Sequence, residues 1–92
     1  MEETEAEKLI RLTLEMKASS ELVDTLTTQI TGMELKLNQI SQDVKGLGQG
    51  DLTRRDLRES SKDLLSSLSL ARFRLAVAKT HAAELLDEYS AL

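Results

Sequence analysis

From Leu9 to Leu47 the apolar residues of this chain recur at alternating steps of three and four. The series is Leu9, Leu12, Met16, Ser19, Val23, Leu26, Ile30, Met33, Leu37, Ile40, Val44 and Leu47, and only Ser19 is polar. Residues three and four apart share one face of an α-helix, whereas a half-buried strand would alternate every second residue. With Leu9 at heptad position a, the series is an a/d seam held over more than five heptads, the pattern of a coiled coil. The chain contains no proline, which would remove a backbone donor and clash with the preceding turn, so nothing in the seam breaks the helix.

The regularity stops at Gly46-Leu47-Gly48-Gln49-Gly50. Glycine is costly inside a helix and suited to its C-terminal end and to a tight connection. The residues beyond read as a fresh start. Thr53 is the expected N-cap, Asp56 sits three residues later as in a capping box, and Leu52 and Leu57 fit a hydrophobic staple. Asp51 is a rival cap. A second seam then follows at Leu57, Ser61, Leu64, Leu68, Ala71, Leu75, Ala78, Ala82, Leu85, Tyr89 and Leu92, with Leu57 at d. The sequence therefore predicts one all-α domain over residues 1–92, with a first helix over about 4–46, a glycine-rich turn over about 46–52 and a second helix over about 53–90.

The two seams complement one another when run antiparallel, which opposes a positions to d positions. The expected layers are Val44 with Leu57, Ile40 with Ser61, Leu37 with Leu64, Met33 with Leu68 and Ile30 with Ala71. They continue as Leu26 with Leu75, Val23 with Ala78, Ser19 with Ala82, Met16 with Leu85, Leu12 with Tyr89 and Leu9 with Leu92. Large side chains tend to meet small ones, as close packing requires. The expected architecture is an antiparallel helical hairpin of coiled-coil type, with arms on the order of 60 Å long. Ser19 and Ser61 either set the register through a polar layer or bond back to their own helix.

A hairpin buries one stripe per helix, and this chain has apolar residues to spare. Leu14, Leu22 and Leu35 in the first arm and Leu65, Phe73, Val77 and Leu86 in the second are expected to face a partner, with Ile10 and Leu70 also outside the seam. Leu22 at g and Leu65 and Leu86 at e widen the stripe toward the face a bundle needs. The e positions of the first arm are mostly small and uncharged (Thr13, Ser20, Thr27 and Ser41), with Glu34 the exception. A lone two-stranded coil normally carries charged pairs there. Across the g positions the register brings Glu15 toward Glu88, a mildly repulsive pair. The small layers, Ser19 with Ala82, Val23 with Ala78 and Ile30 with Ala71, form a shallow stretch that large partner side chains could enter. The hairpin is thus expected to complete a four-helix or larger bundle, homodimeric or heteromeric.

Chemistry-bearing residues are few. His81 is the sole histidine and there is no cysteine. No Ser-His-Asp set and no metal-spaced cluster can be assembled, and the glycine turn lacks the Lys-Ser or Lys-Thr ending of a phosphate loop. No catalytic, metal or cofactor residue and no small-molecule substrate is expected. Arg54, Arg55, Arg58, Arg72 and Arg74 are candidates for contact with an acidic partner. Arginine at a helix N-terminus opposes the helix dipole, so Arg54 and Arg55 would reach outward, for example to Glu2, Glu3, Glu5 and Glu7 of another subunit packed in the opposed direction. Carboxylates are interleaved with these arginines and the net charge is -4, which disfavours nucleic acid.

No apolar run reaches 18 residues, and Met1–Glu7 is acidic where a targeting signal would be basic. A cytoplasmic location is expected, and a nuclear one is compatible. The function expected is protein–protein interaction, as a structural subunit of a coiled-coil complex. The alternatives are a small helical chaperone or adaptor that shields a helical client before assembly or secretion and, behind it, a nucleic-acid-binding hairpin dimer.

Overall fold

The computed structural model describes residues 2–46 and 52–92, apart from the side chains of Leu52, Thr53 and Arg54. It contains two helices, α1 (Glu5–Lys45) and α2 (Leu52–Ser90), folded back on one another as a hairpin. Leu47, Gly48, Gly50 and Asp51 of the expected turn lie outside the described residues.

The start of α1 is fixed by local hydrogen bonds. Thr4 is extended, at φ -70° and ψ 161°, and its Oγ1 accepts the Glu7 backbone N–H at 3.1 Å. The carbonyl of Thr4 accepts from the Lys8 N–H at 2.9 Å, which opens the helical ladder. Glu5 and Glu7 then place negative charge against the positive end of the helix dipole. At the other end Lys45 supplies the complementary charge, and the Gly46 N–H is shared between the carbonyls of Asp43 and Gln42. Gly46 is right-handed, at φ -80° and ψ -8°, so this helix end makes no use of the left-handed conformation for which glycine is favoured at such ends.

Helix α2 begins at Leu52, so Thr53 lies inside the first turn rather than capping it. Asp51, the rival cap, lies outside the described residues.

Burial follows the two stripes. Leu12, Ser19, Leu26 and Ile30 of α1 and Leu68, Ala71, Ala78 and Leu85 of α2 are buried. Met16, Val23, Met33, Leu37, Ile40 and Val44 are half-buried, as are Leu57, Ser61, Leu64, Leu75 and Ala82. The best-defined cluster joins Ile30, Leu68 and Ala71, with Met33, Leu37 and Leu75 packed around them. It draws together two of the expected layers, Ile30 with Ala71 and Met33 with Leu68. Glu34 and Arg72 bridge the helices beside it at 3.4 Å.

The open end of the hairpin departs from the expected core. Leu9, Tyr89 and Leu92 are 43%, 45% and 51% exposed. Leu9 and Leu92 make up the outermost expected layer, and Tyr89 stands exposed although Leu12, its expected layer partner, is fully buried. Leu12 and Leu85, one step inward, are closed off at 0% and 4%.

The result is a rod of 68 × 18 × 15 Å with a radius of gyration of 20.5 Å. A compact domain of this length would have about 12 Å. Its accessible surface of 7120 Å² exceeds the roughly 5,300 Å² expected of a compact monomer of 10.2 kDa.

The register places residues 19 and 82 in one layer. The double variant S19C/A82C is expected to form an oxidative crosslink within one chain, read as a faster-migrating monomer on a non-reducing gel. Crosslinks found only between chains would refute the intrachain register.

Candidate helix-packing surface

The residues left outside the stripes define the surface. Leu14, Leu22, Leu35, Leu65, Phe73, Val77 and Leu86 are all at least half exposed, from 50% for Leu65 to 67% for Phe73. Ile10 and Leu70 are exposed as well. All nine lie outside the two buried stripes. The structure also separates them into different faces.

Leu22, Phe73 and Val77 come together. With Thr25, Leu26 and Gln29 of α1 and Arg74, Ala78 and His81 of α2 they line an open groove of about 570 Å³ between the helices. Phe73 and Val77 are four residues apart and so stand on one side of α2, forming one wall. Leu22, Thr25 and Gln29 of α1 line the other side. The buried Leu26 and Ala78 form the floor, which is where the seam itself reaches the surface. A second open depression, lined by Ala76, Val77, Thr80, His81 and Glu84, continues this face along α2.

Leu65 and Leu86 do not line this groove. Leu86 lies nine residues from Val77, about two and a half helical turns, which sets it on the opposite side of α2. Leu14 and Leu35 likewise lie outside the groove lining. A sequence reading assigns all seven to a partner but does not divide them, because the division depends on how the hairpin is rotated about its own seam.

The polar side chains settle largely among themselves. Arg11 binds Glu3 at 3.0 Å and Glu15 at 3.2 Å. The hydrogen bond to Glu3 is the main reason its pKa lies above the ordinary arginine value, with the charges of Glu3 and Glu15 adding to it. Glu15, expected to oppose Glu88, is therefore neutralised within its own helix. Of the arginines expected to reach an acidic partner, Arg72 meets Glu34 of its own chain and Arg55 meets Glu59 one turn on at 3.7 Å. Exposed pairs of this kind contribute little to stability. Arg58 and Arg74 are exposed, and the side chain of Arg54 lies outside the described residues.

His81 is exposed on the rim of both depressions. Among the described residues no three His, Asp or Glu side chains converge to hold a metal ion, and no helix is long and apolar enough to cross a membrane.

Ser19 is the one anomaly of the seam. It is 6% exposed, and its Oγ has no hydrogen-bond partner. The hydroxyls of Thr13, Thr27, Thr31 and Thr80 all donate to the carbonyl four residues before them. Of the two roles the sequence allows Ser19, a polar layer or a bond back to its own helix, the second is not made in this structure.

Compared with protein-family models, curated proteins and solved structures, the chain matches none. The fold and the surface are thus the grounds for assigning a class, an elongated all-α module of the kind proteins use to interact.

An unpaired buried hydroxyl costs about 1–3 kcal/mol, and alanine is the better helix former. Ser19→Ala is expected to stabilise the protein by about 1 kcal/mol, seen as a higher denaturant midpoint at unchanged slope. A lower midpoint would show that the hydroxyl has a partner in the assembled protein.

Proposed function

We propose that this chain is a non-enzymatic helix-packing module, a structural subunit of a coiled-coil assembly that builds a four-helix or larger bundle with its own copies or with another helical protein. The observation that carries this reading is an imbalance of apolar burial. Among the described residues seven apolar side chains are buried, two of them alanine, while twelve large ones are exposed. Isolated apolar residues on a surface are ordinary, but Leu22, Phe73 and Val77 gathered round one groove are not isolated.

The coiled-coil reading is supported by the spacing of burial, which steps by three and four along both helices. The bundle reading is supported by the flanks. Thr13 and Thr27 at e of α1 fold their hydroxyls onto their own backbone, leaving a low polar edge that a further helix could approach. That Arg55 and Arg72 are engaged with carboxylates of their own chain favours a protein partner over a nucleic acid.

A helix pair this thin has little core to hold it alone. The purified chain is expected either to run as two or more copies in light scattering coupled to size exclusion, or, when single, to unfold over a broad, low-midpoint transition that sharpens once its partner is added. A stable, cooperatively unfolding monomer that associates with nothing would overturn the proposal.

A further inference from the structure

We infer that the groove lined by Leu22, Phe73 and Val77 is the seat of a second copy of this chain, laid across it in the opposed direction about a two-fold axis. This inference deepens the packing proposal by naming the occupant, the face and the orientation. Three observations carry it.

The first is area. The rod exposes roughly 1,800 Å² more than a compact monomer of its mass. For a pair of chains that is about 3,600 Å², inside the range of about 2,000–5,000 Å² buried by obligate homodimers. One copy covering another along its length is enough to remove the excess.

The second is position. The groove draws on residues 22–29 of α1 and 73–81 of α2. Since α1 runs Glu5–Lys45 and α2 Leu52–Ser90 antiparallel to it, the groove lies at the middle of the rod. A two-fold axis there, perpendicular to the rod, overlaps the two copies along their whole length. It sets Phe73 of each copy beside Val77 of the other and Leu22 of each over Thr25 and Gln29 of the other. The α2 wall of one copy thus meets its own image, and so does the α1 wall with Leu22. Helix neighbours across the new interface run antiparallel, as in an up-down four-helix bundle.

The third is charge, and it selects the direction. The open end of the hairpin, residues 2–15 and 82–92, carries eight acidic and two basic side chains. The hinge end, residues 36–46 and 55–63, carries five basic and four acidic ones. Two copies side by side in the same direction would bring two strongly acidic ends together. Opposed copies set each acidic end against the mildly basic hinge end of the other, which carries Lys45, Arg58 and Lys62. The groove itself contains no carboxylate, and Arg74 is its one permanently charged residue. The long stem of Arg74 allows the guanidinium to stay at the wet rim while its methylenes pack.

Three chains and one distance test the inference. Light scattering is run on the unchanged protein, on F73E/V77E and on L65E/L86E, with helix content followed by circular dichroism. All four substituted positions are exposed, so the hairpin itself is expected to survive. The unchanged chain should have a mass of about twice 10.2 kDa. F73E/V77E should halve that mass at unchanged helix content, and L65E/L86E should leave it as it was. A pair split by L65E/L86E but not by F73E/V77E would overturn the groove as the seat, while the packing proposal stands. A single chain at every concentration would overturn the second copy as occupant. The packing proposal would then rest on the unfolding behaviour and partner response described for it.

Direction is read by electron spin resonance on Ala6→Cys carrying a nitroxide, a clean single label in a chain with no cysteine. Opposed copies should show one inter-chain distance of about 60 Å, and copies in the same direction one below about 30 Å. The short distance would overturn the opposed arrangement.

Discussion

Every feature of this protein depends on burying one apolar stripe per helix. A helix of 41 residues with a single apolar stripe is not stable in water on propensity alone, because the ordering of its backbone has to be offset by tertiary contact. The stripe of α2 is the only such contact within the described chain. Its most secure stretch runs from Ile30 to Leu37 against Leu68 to Leu75. Away from that stretch the layers become smaller, with Ser19, Ala78 and Ala82, and toward the open end the outermost residues are half in water. The fold is therefore a line of side-chain layers rather than a core with an inside. A line protects its members on two sides only, and this is why so many positions are half-buried.

What the seam leaves uncovered has its own order. At mid-rod the groove floor includes the small, buried Ala78, and the large, exposed Phe73 and Val77 stand beside it. The same alanine thus serves the hairpin and shapes its outer face.

The fold was legible because its signal is long and redundant. More than twenty positions agree on one periodicity, and three clustered glycines leave one place for the chain to turn. The N-terminal cap was legible too, since Thr4 followed three residues later by Glu7 has the capping-box spacing, though the stronger seam draws attention past it. Other features depend on geometry no pattern carries. That Leu22, Phe73 and Val77 meet while Leu65 and Leu86 lie elsewhere follows from the rotation of each helix about its axis. Heptad labels flatten this rotation, because the helix has 3.6 residues per turn rather than 3.5. That Ser19 leaves its hydroxyl unpaired, where four threonines do not, is a rotamer outcome. The pairing of Arg72 with Glu34 needed the register, and with it the arginine's preference for an acidic neighbour is met inside the chain.

Symmetry decides what kind of assembly such a rod could form. An acidic end and a mildly basic end would, by themselves, favour head-to-tail contacts, which use two different surfaces and continue without limit. A groove at the midpoint changes this. Both copies then use the same surface, the contact is satisfied by one partner, and the two pairs of opposed ends are consumed in the same step. In the proposed pair the charges would fix direction and the groove would fix register, and neither would do so alone. Charge without the groove would permit filaments or sliding pairs, since screened ends attract over about a Debye length with no preference for a particular layer. The groove without charge would permit the two copies to meet in either direction. The location of Phe73 and Val77 at the middle of the rod is what turns a polar rod into one suited to a closed pair.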